Sequence, residues 1–492
     1  MKIAFISSEV YPFSKTGGLA DVAGALPPVL KKLSHSVKVF TPLYGSIDKE
    51  KFKLKKEENL SGISIEINGK LHYVNVFRGI LPEESVEVYF IDYPEYFSSK
   101  SYYEADQFED LRFILFQKSV LELLLRLKWS PDVVHVNDWQ TSLIPYYLKE
   151  KYSSERIFQN TFTLLTIHNV GYQGLFPEAT LHKAEINPAH FYLTGPAEFY
   201  GKVSFLKLGI VFSDLINTVS KTYAEELLTD EFSGGLKDVF ISRKKDLFGI
   251  VNGVDYSIWN PETDKLIPQN YSIDSLNLKE KNKISLASEF NLDYHKDIPI
   301  LGIISRLVSQ KGFDLFFDLF DELIGMNAQL IVLGSGDKKY ETFFKKAEFF
   351  SSGNIKTHLD YNNDLAHLIE AGADIFLMPS LYEPCGLNQI YSLKYGTVPV
   401  VRKTGGLADT VEDWDESIKR GTRTGTGFSF SEFSSDKLWE TILRALKYYQ
   451  DKPTWRQIQI NGMKRDFSWE KSAEEYVNLY KTGIGRKRIL SK

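Results

Sequence analysis

The chain reads as an α/β protein of parallel sheets, arranged as two facing domains. Three observations predict this. Short buried strands alternate with helices through both halves. Polar and glycine-rich clusters fall just after those strands, where parallel sheets hold their ligands. The heptapeptide Lys-Thr-Gly-Gly-Leu-Ala-Asp occurs twice, at Lys15–Asp21 and Lys403–Asp409, each time between an apolar strand run and an apolar helical pattern.

In the first half, strand Lys2–Ser8 leads to helix Leu19–Leu33 and strand Ser36–Thr41. Alternating apolar and polar residues around Ser64–Phe77 and Val86–Ile91 predict an antiparallel addition. Helix Phe108–Leu127 precedes the buried strand Val133–Val136, and Thr163–Ile167 is another. Residues 169 to 200 read as irregular. Helix Ser204–Phe212, strand Ile216–Val219 and helix Thr222–Leu228 follow. From Asn270 to Ile284 polarity rises and periodicity weakens, as at a domain border. The pattern then restarts with strands Ile300–Ser305, Gln329–Leu333, Ile355–His358, Ile375–Met378 and Thr397–Val401. Helices Gly312–Leu323, Lys338–Phe350, Asp364–Ala371 and Gln389–Tyr395 lie between them, implying right-handed crossovers.

A chain of 492 residues is too long for one ordinary core. The content of 43% hydrophobic and 25% charged residues is that of a globular protein. The balance of 59 basic and 64 acidic residues gives −5, with no basic excess to suggest nucleic acid as a partner. The single cysteine, Cys385, rules out an intrachain disulfide. The N-terminal apolar run is too short for a signal peptide, and no stretch of 18 apolar residues occurs. A soluble, cytoplasmic protein without membrane partners is expected.

A Gly-Gly turn between strand and helix brings unpaired N–H groups to a helix N-terminus, where an anion is favoured. Lys15, Gly17 and Gly18 would form one such site, with a second beside Thr404, Gly405 and Gly406. The alternative is that the glycines serve only close helix–strand packing. Arg306 and Lys311 lie five apart in the loop after a buried strand, a fork and a point charge suited to a diphosphate. Gly334-Ser335-Gly336 is weak evidence alone. In Pro379–Gln389, Pro384 suits a first helical turn, so that the amides of Cys385, Gly386 and Leu387 would face a ligand. Glu383 ahead of it would bind sugar hydroxyls or merely complement the helix dipole. After two buried strands stand Asn137-Asp138-Trp139 and His168-Asn169, supplying a carboxylate, an indole, an imidazole and an amide. His135 reads as core. No His/Cys/Asp set has metal-ligand spacing, and neither a metal nor a cofactor is expected.

Together these residues resemble the ADP-glucose-dependent glycogen synthases of glycosyltransferase family 5, with their starch synthase relatives. The resemblance rests on Ser7–Pro12, the heptapeptide Lys15–Asp21, the Thr404–Leu407 part of the second copy, Asn137-Asp138-Trp139, His168-Asn169 and Tyr172–Phe176. It continues through Asn252–Asp255, Ser305-Arg306, Gln310-Lys311-Gly312 and Glu383–Leu387. It implies the GT-B fold: two Rossmann-like domains over about residues 1–255 and 256–464, with the active site in the cleft between them. A helix at about 465–482 would cross back onto the first domain. The implied reaction is retaining transfer of glucose from ADP-glucose to the 4-hydroxyl at the non-reducing end of an α-1,4-glucan, glycogen or a maltooligosaccharide.

By the family pattern Arg306 and Lys311 hold the diphosphate, Lys15 and Gly17-Gly18 approach it, and Thr404, Gly405 and Gly406 line the nucleotide. Tyr361 resembles the aromatic that stacks on adenine. Glu383, His168, Asn169 and Asn252 would surround the glucosyl ring, with Glu9, Asp21, Asp138 and Trp139 toward the sugar and acceptor. Lys221 stands where the family usually has proline, and Glu231–Leu236 keeps only part of its counterpart. The basic Arg486-Lys487-Arg488 reads as an unstructured tail. UDP-glucose as donor, and a glycan-binding protein without catalysis, are the competing readings.

Overall fold

The computed structural model describes residues 1–99, 102–103 and 108–490. The chain divides into two compact units. One holds Met1–Val219, Ala224–Gly253 and Trp469–Lys492; the other holds Ser220–Tyr223 and Val254–Ser468. Each is a Rossmann-like α/β unit around its own sheet.

In the first unit the strands run Leu247–Gly249, Leu215–Thr218, Phe162–Ile167, Val133–Asn137, Lys2–Ile6, Ser36–Pro42 and Glu87–Asp92 across the sheet, every neighbouring pair parallel. Strand Lys70–Ile80 then adds antiparallel to Glu87–Asp92 and carries Lys55–Lys56 and Ile63–Ile67. This is the antiparallel addition expected from the alternation. The parallel strands are near-continuous apolar runs because helices cover both faces. Residues 169 to 200 are less irregular than expected. They supply strands Leu175–Phe176 and Glu198–Phe199, which join Lys202–Ser204 in a small antiparallel sheet.

The final helix, Trp469–Leu490, packs on this unit through two tyrosines. Tyr480 bonds Nδ1 of His135 at 2.8 Å and Tyr476 accepts from Asn217 at 3.1 Å. His135 is fully buried and bonds Thr166 through Nε2, so it is core. The basic stretch predicted as a loose tail is helical instead. Arg486 pairs with Asp246 at 3.2 Å and Lys487 with Asp214 at 3.2 Å, which ties the last turns to the sheet's edge.

The second unit has a six-stranded parallel sheet in the order Ile355–His358, Gln329–Leu333, Ile300–Ile304, Ile375–Met378, Val398–Arg402, Phe428–Phe430. Its first strand in the sequence lies centrally, and the chain winds outward to either side. The crevice at such a reversal, beside Ile304 and Met378, is where this topology receives ligands. The polar stretch read as a domain border is not one. Lys279–Glu289 is a helix of this unit, and its Lys279 and Lys283 are buried. Lys283 reaches Asp374 at 2.8 Å, and Lys279 donates to the Ala371 carbonyl at 2.8 Å. Buried lysines with partners look polar in sequence yet belong to a core. Among the described residues no helix is long and apolar enough to cross a membrane.

Candidate functional site

In the first unit the predicted polar residues stand at the carboxyl ends of three adjacent strands: Lys2–Ile6, Val133–Asn137 and Phe162–Ile167. Asp138 follows the second of these with φ +55° and ψ −176°, close to a conformation that suits glycine alone. It is over-determined by its bonds. Its N–H donates to the Thr166 carbonyl at 2.9 Å, its carbonyl accepts from Ser142, and Oδ1 accepts from the His168 amide at 2.7 Å. Burial pushes the Asp138 carboxyl up to about 7, against the His168 and Asn169 amides that hold it down.

His168 sets Nε2 at 3.0 Å from Oδ1 of Asn137. Burial holds its imidazole down at about 3, so the ring is neutral near pH 7. Asn169 folds into a local turn, its Oδ1 accepting from the Gly171 amide at 2.9 Å. Asn252 is buried, with no hydrogen-bond partner for Oδ1 among the described residues.

Two expected sugar contacts are turned elsewhere. Trp139 is 6% exposed and packs against Phe113, Phe176 and Phe205, with Gly174 against the indole. Such an aromatic cluster offers no open ring face, so Trp139 supports the site rather than touching a ligand. Glu9 is buried and holds the loop ahead of the first Gly-Gly turn: Oε1 accepts from the Thr16 hydroxyl at 2.6 Å, the Thr16 amide bonds Oε2, and Tyr103 donates to Oε1. Lys15 beyond it is half exposed, 2.7 Å from Asp21 and over the Tyr11 ring. Burial raises the Asp21 carboxyl, and Lys15 opposes this. Helix Gly18–Lys32 starts at Gly17 with no side chain capping it. Gly17 and Gly18 are exposed, and a Cβ on either would meet nothing within 4 Å.

In the second unit the cluster forms after strands Ile300–Ile304 and Ile375–Met378, the neighbours at the reversal. Gly312 has φ +76°, and a Cβ there would lie 1.9 Å from the Pro379 carbonyl oxygen. This glycine-only approach, with the Leu381 amide donating to Gln310 at 2.9 Å, sets Lys311 beside Glu383. Lys311 Nζ donates to Glu383 Oε2 at 2.6 Å, and Ser380 Oγ donates to the same oxygen at 3.0 Å. Glu383 is 6% exposed, so the ion pair is largely dry. Arg306 is exposed, and its guanidinium makes no hydrogen bond or ion pair among the described residues. Gly334 and Gly336 pack under the Arg306 loop: a Cβ on Gly334 would meet the Ser305 carbonyl at 1.9 Å, and one on Gly336 the Leu307 carbonyl at 2.3 Å.

Pro384 does not open a helix. The chain turns at Gly386, φ +71°, and the helix starts at Asn388 with Leu387 as its N-cap. Cys385 is buried, and its carbonyl and that of Gly386 accept from Gln389 Nε2. Thr404 stands at the N-cap of helix Gly405–Thr410 without a side-chain capping bond, and the Gly406 amide donates to the Glu383 carbonyl at 3.0 Å. Tyr361, after strand Ile355–His358, is 78% exposed, an open ring face. Asn137 and Ser380, which hold His168 and Glu383, were given no role from the sequence. The signal was position alone: Asn137 is a polar residue at the end of a buried strand, and Ser380 opens the loop of Glu383.

A family model described as the starch synthase catalytic domain matches residues 2–242, and one described as glycosyl transferases group 1 matches residues 287–464. A protein named glycogen synthase from Thermotoga maritima is 46% identical over 492 residues, covering 99% of each chain. One of the same name from Koribacter versatilis is 45% identical, covering 98% of each. The solved catalytic domain of starch synthase IV from Arabidopsis thaliana, bound to ADP and acarbose, matches with a TM-score of 0.89 at 30% identity, over 98% of this chain and 99% of that one. The two Rossmann-like units are those of the GT-B fold.

Proposed function

The chain belongs to the glycogen synthase and starch synthase family, a glycosyltransferase that elongates glucan, and we propose that its donor is ADP-glucose, transferred with retention to the non-reducing-end 4-hydroxyl of an α-1,4-glucan. The observation that carries the donor class is Arg306: an exposed guanidinium without a partner among the described residues, in the same loop as Lys311, at the sheet reversal. An unengaged fork there suits a diphosphate. The relative bound to ADP and acarbose supports an adenine nucleotide and a glucan-like acceptor.

Breaking the anomeric C–O bond leaves an oxocarbenium-like sugar and a diphosphate whose charge grows at the bridging oxygen. Arg306 and Lys311 stabilise that charge more in the transition state than before it. Lys15 and the uncapped amides after Gly17 approach the phosphates, and Tyr361 stacks on the base. With Oε2 of Glu383 taken by Lys311 and Ser380, Oε1 is left for sugar hydroxyls. Neutral His168, Asn169, Asn252 and Asp138 serve the sugar and the acceptor. Thr404, Gly405, Gly406, Cys385, Gly386 and Leu387 shape the nucleotide side. Departure and attack share one face of the sugar; a glycosyl ester trapped on Asp138 or Glu383 would overturn that route.

The test is transfer of labelled glucose to glycogen from ADP-glucose and UDP-glucose at equal concentration, with EDTA present. Faster incorporation from ADP-glucose, falling about 10²–10³-fold in Arg306→Ala, is expected. Equal or faster use of UDP-glucose sinks the donor assignment. No transfer from either donor by folded protein favours a glycan-binding role. Arg306 is the cleaner variant, because removing Lys311 leaves Glu383 buried without its cation, at about 3–5 kcal/mol.

A further inference from the structure

Asn137 ends strand Val133–Asn137 and is fully buried. Its backbone is clipped to Thr141, whose Oγ1 accepts from the Asn137 amide at 2.6 Å and stands 2.8 Å from the Asn137 carbonyl. The side-chain amide has two ends and two neighbours. Nδ2 donates to the Ile6 carbonyl at 3.0 Å, across the pair of adjacent strands. A carbonyl oxygen only accepts, so this bond fixes which end of the amide is which. Oδ1 therefore faces Nε2 of His168 at 3.0 Å, and an amide oxygen only accepts too. The ring must donate there, which places its proton on Nε2 and leaves a lone pair on Nδ1.

We infer that Asn137 is a positioning residue that locks His168 in the Nε2–H tautomer, so that Nδ1 acts as a hydrogen-bond acceptor for a sugar hydroxyl. The role of the hydroxyl rests on the transferase reading above; the tautomer does not. A neutral ring is required, since an imidazolium donates from both nitrogens. The titratable groups nearby are Asp138, whose carboxylate takes the His168 backbone amide, and His135, on the same strand as Asn137, whose ring bonds Tyr480 and Thr166. Glu9 acts on Asp138 from the loop after Lys2–Ile6. None of them bonds Nε2, so the amide alone sets the tautomer.

The test is ¹⁵N NMR of protein labelled at its nine histidines, with His168 assigned by loss of its signals in His168→Gln. Between pH 5 and 8 the full-length protein is expected to show Nε2 in the protonated range and Nδ1 in the unprotonated range. In Asn137→Asp a carboxylate replaces the amide beside Nε2–H and favours the charged ring, so His168 titrates at higher pH and the acid limb of kcat moves up with it. In Asn137→Ala kcat falls about 10²-fold with KM changed far less. A wild-type ring protonated on Nδ1 overturns the proposal, as does an unmoved His168 titration in folded Asn137→Asp. If the wild type transfers no glucose, the transferase reading fails while the spectrum still decides the tautomer.

Discussion

Seven identical residues at Lys15–Asp21 and Lys403–Asp409 occupy opposite environments. In the first copy Lys15, Thr16, Gly17 and Gly18 are exposed, and nothing stands within 4 Å of where either glycine's Cβ would be. In the second, Thr404 to Leu407 are buried, Gly405 has φ +44°, and Cβ atoms on Gly405 and Gly406 would lie 2.0 Å from the Glu383 and Cys385 carbonyl oxygens. The first turn needs no glycine for packing, which is why the proposed function gives it the close approach of a ligand. The second needs glycine so that a helix can press against the loop carrying Glu383. The packing reading of a Gly-Gly turn thus holds for the second copy and not for the first, and burial is what separates them.

The lysines give the largest contrast. Lys15→Ala is expected to cut glucose transfer about 10²–10³-fold with little change in thermal midpoint, because its pair with Asp21 is half exposed and adds little stability. Lys403 pairs with Glu416 at 3.0 Å on the surface. Its alanine variant should keep activity within about twofold and stability within about 1 kcal/mol. Steady-state rates and melting curves of the two variants side by side check this, and equal losses would erase the contrast.

The glycines should reverse the order. Gly406→Ala puts a methyl into a backbone carbonyl and is expected to destabilise by about 1–3 kcal/mol or more, read as a midpoint lowered by several degrees. Gly18→Ala, at the first turn of a 15-residue helix with open space around it, is expected to hold or slightly raise the midpoint while weakening donor binding. A stable Gly406→Ala would show that the loop of Glu383 yields.

In the first unit, burial of Asp138 has a cost that depends on pH. Asp138 has a folded pKa of about 7, raised by burial above an unfolded value of about 3.9. Its contribution to stability is complete below about pH 3.9 and is lost as pH rises through 7. Asp138→Asn keeps the acceptor for the His168 amide and tolerates positive φ, yet has no charge to bury. Its midpoint relative to wild type should therefore be higher at pH 8 than at pH 5. A constant difference across that range would mean that the carboxyl titrates normally.

The alternation of strands and helices was legible because buried parallel strands are apolar throughout, and the clusters at their carboxyl ends were legible from the same pattern. What escaped was whatever depends on tertiary partners. The polar stretch from Asn270 to Ile284 reads as a domain border until carbonyls and Asp374 are seen to surround Lys279 and Lys283. Trp139 reads as a sugar platform until three aromatic rings and Gly174 close over it. Pro384 fits a helix start, but Gly386 in the left-handed region delays the helix to Asn388. Residue type gave the polarity of each position; what surrounds the side chain was not in the string.

The aspartates that end the two copies offer the finest test. Asp409 accepts from the backbone amides of Lys221 and Thr222 at 2.6 and 3.0 Å and from the Thr222 hydroxyl at 2.6 Å, at the start of helix Lys221–Glu226. It acts as a cap borrowed from far along the chain. Asp409→Ala should cost about 1 kcal/mol, the ordinary loss of a cap, and Asp409→Asn should recover part of it because the amide oxygen still accepts. Among the described residues Asp21 caps nothing and pairs with Lys15 at 2.7 Å. Asp21→Ala should leave the midpoint within about 0.5 kcal/mol and instead free Lys15, changing KM for the donor rather than the fold. If melting curves show Asp21→Ala losing as much as Asp409→Ala, the first copy is as structural as the second, and the division drawn from the glycines fails with it.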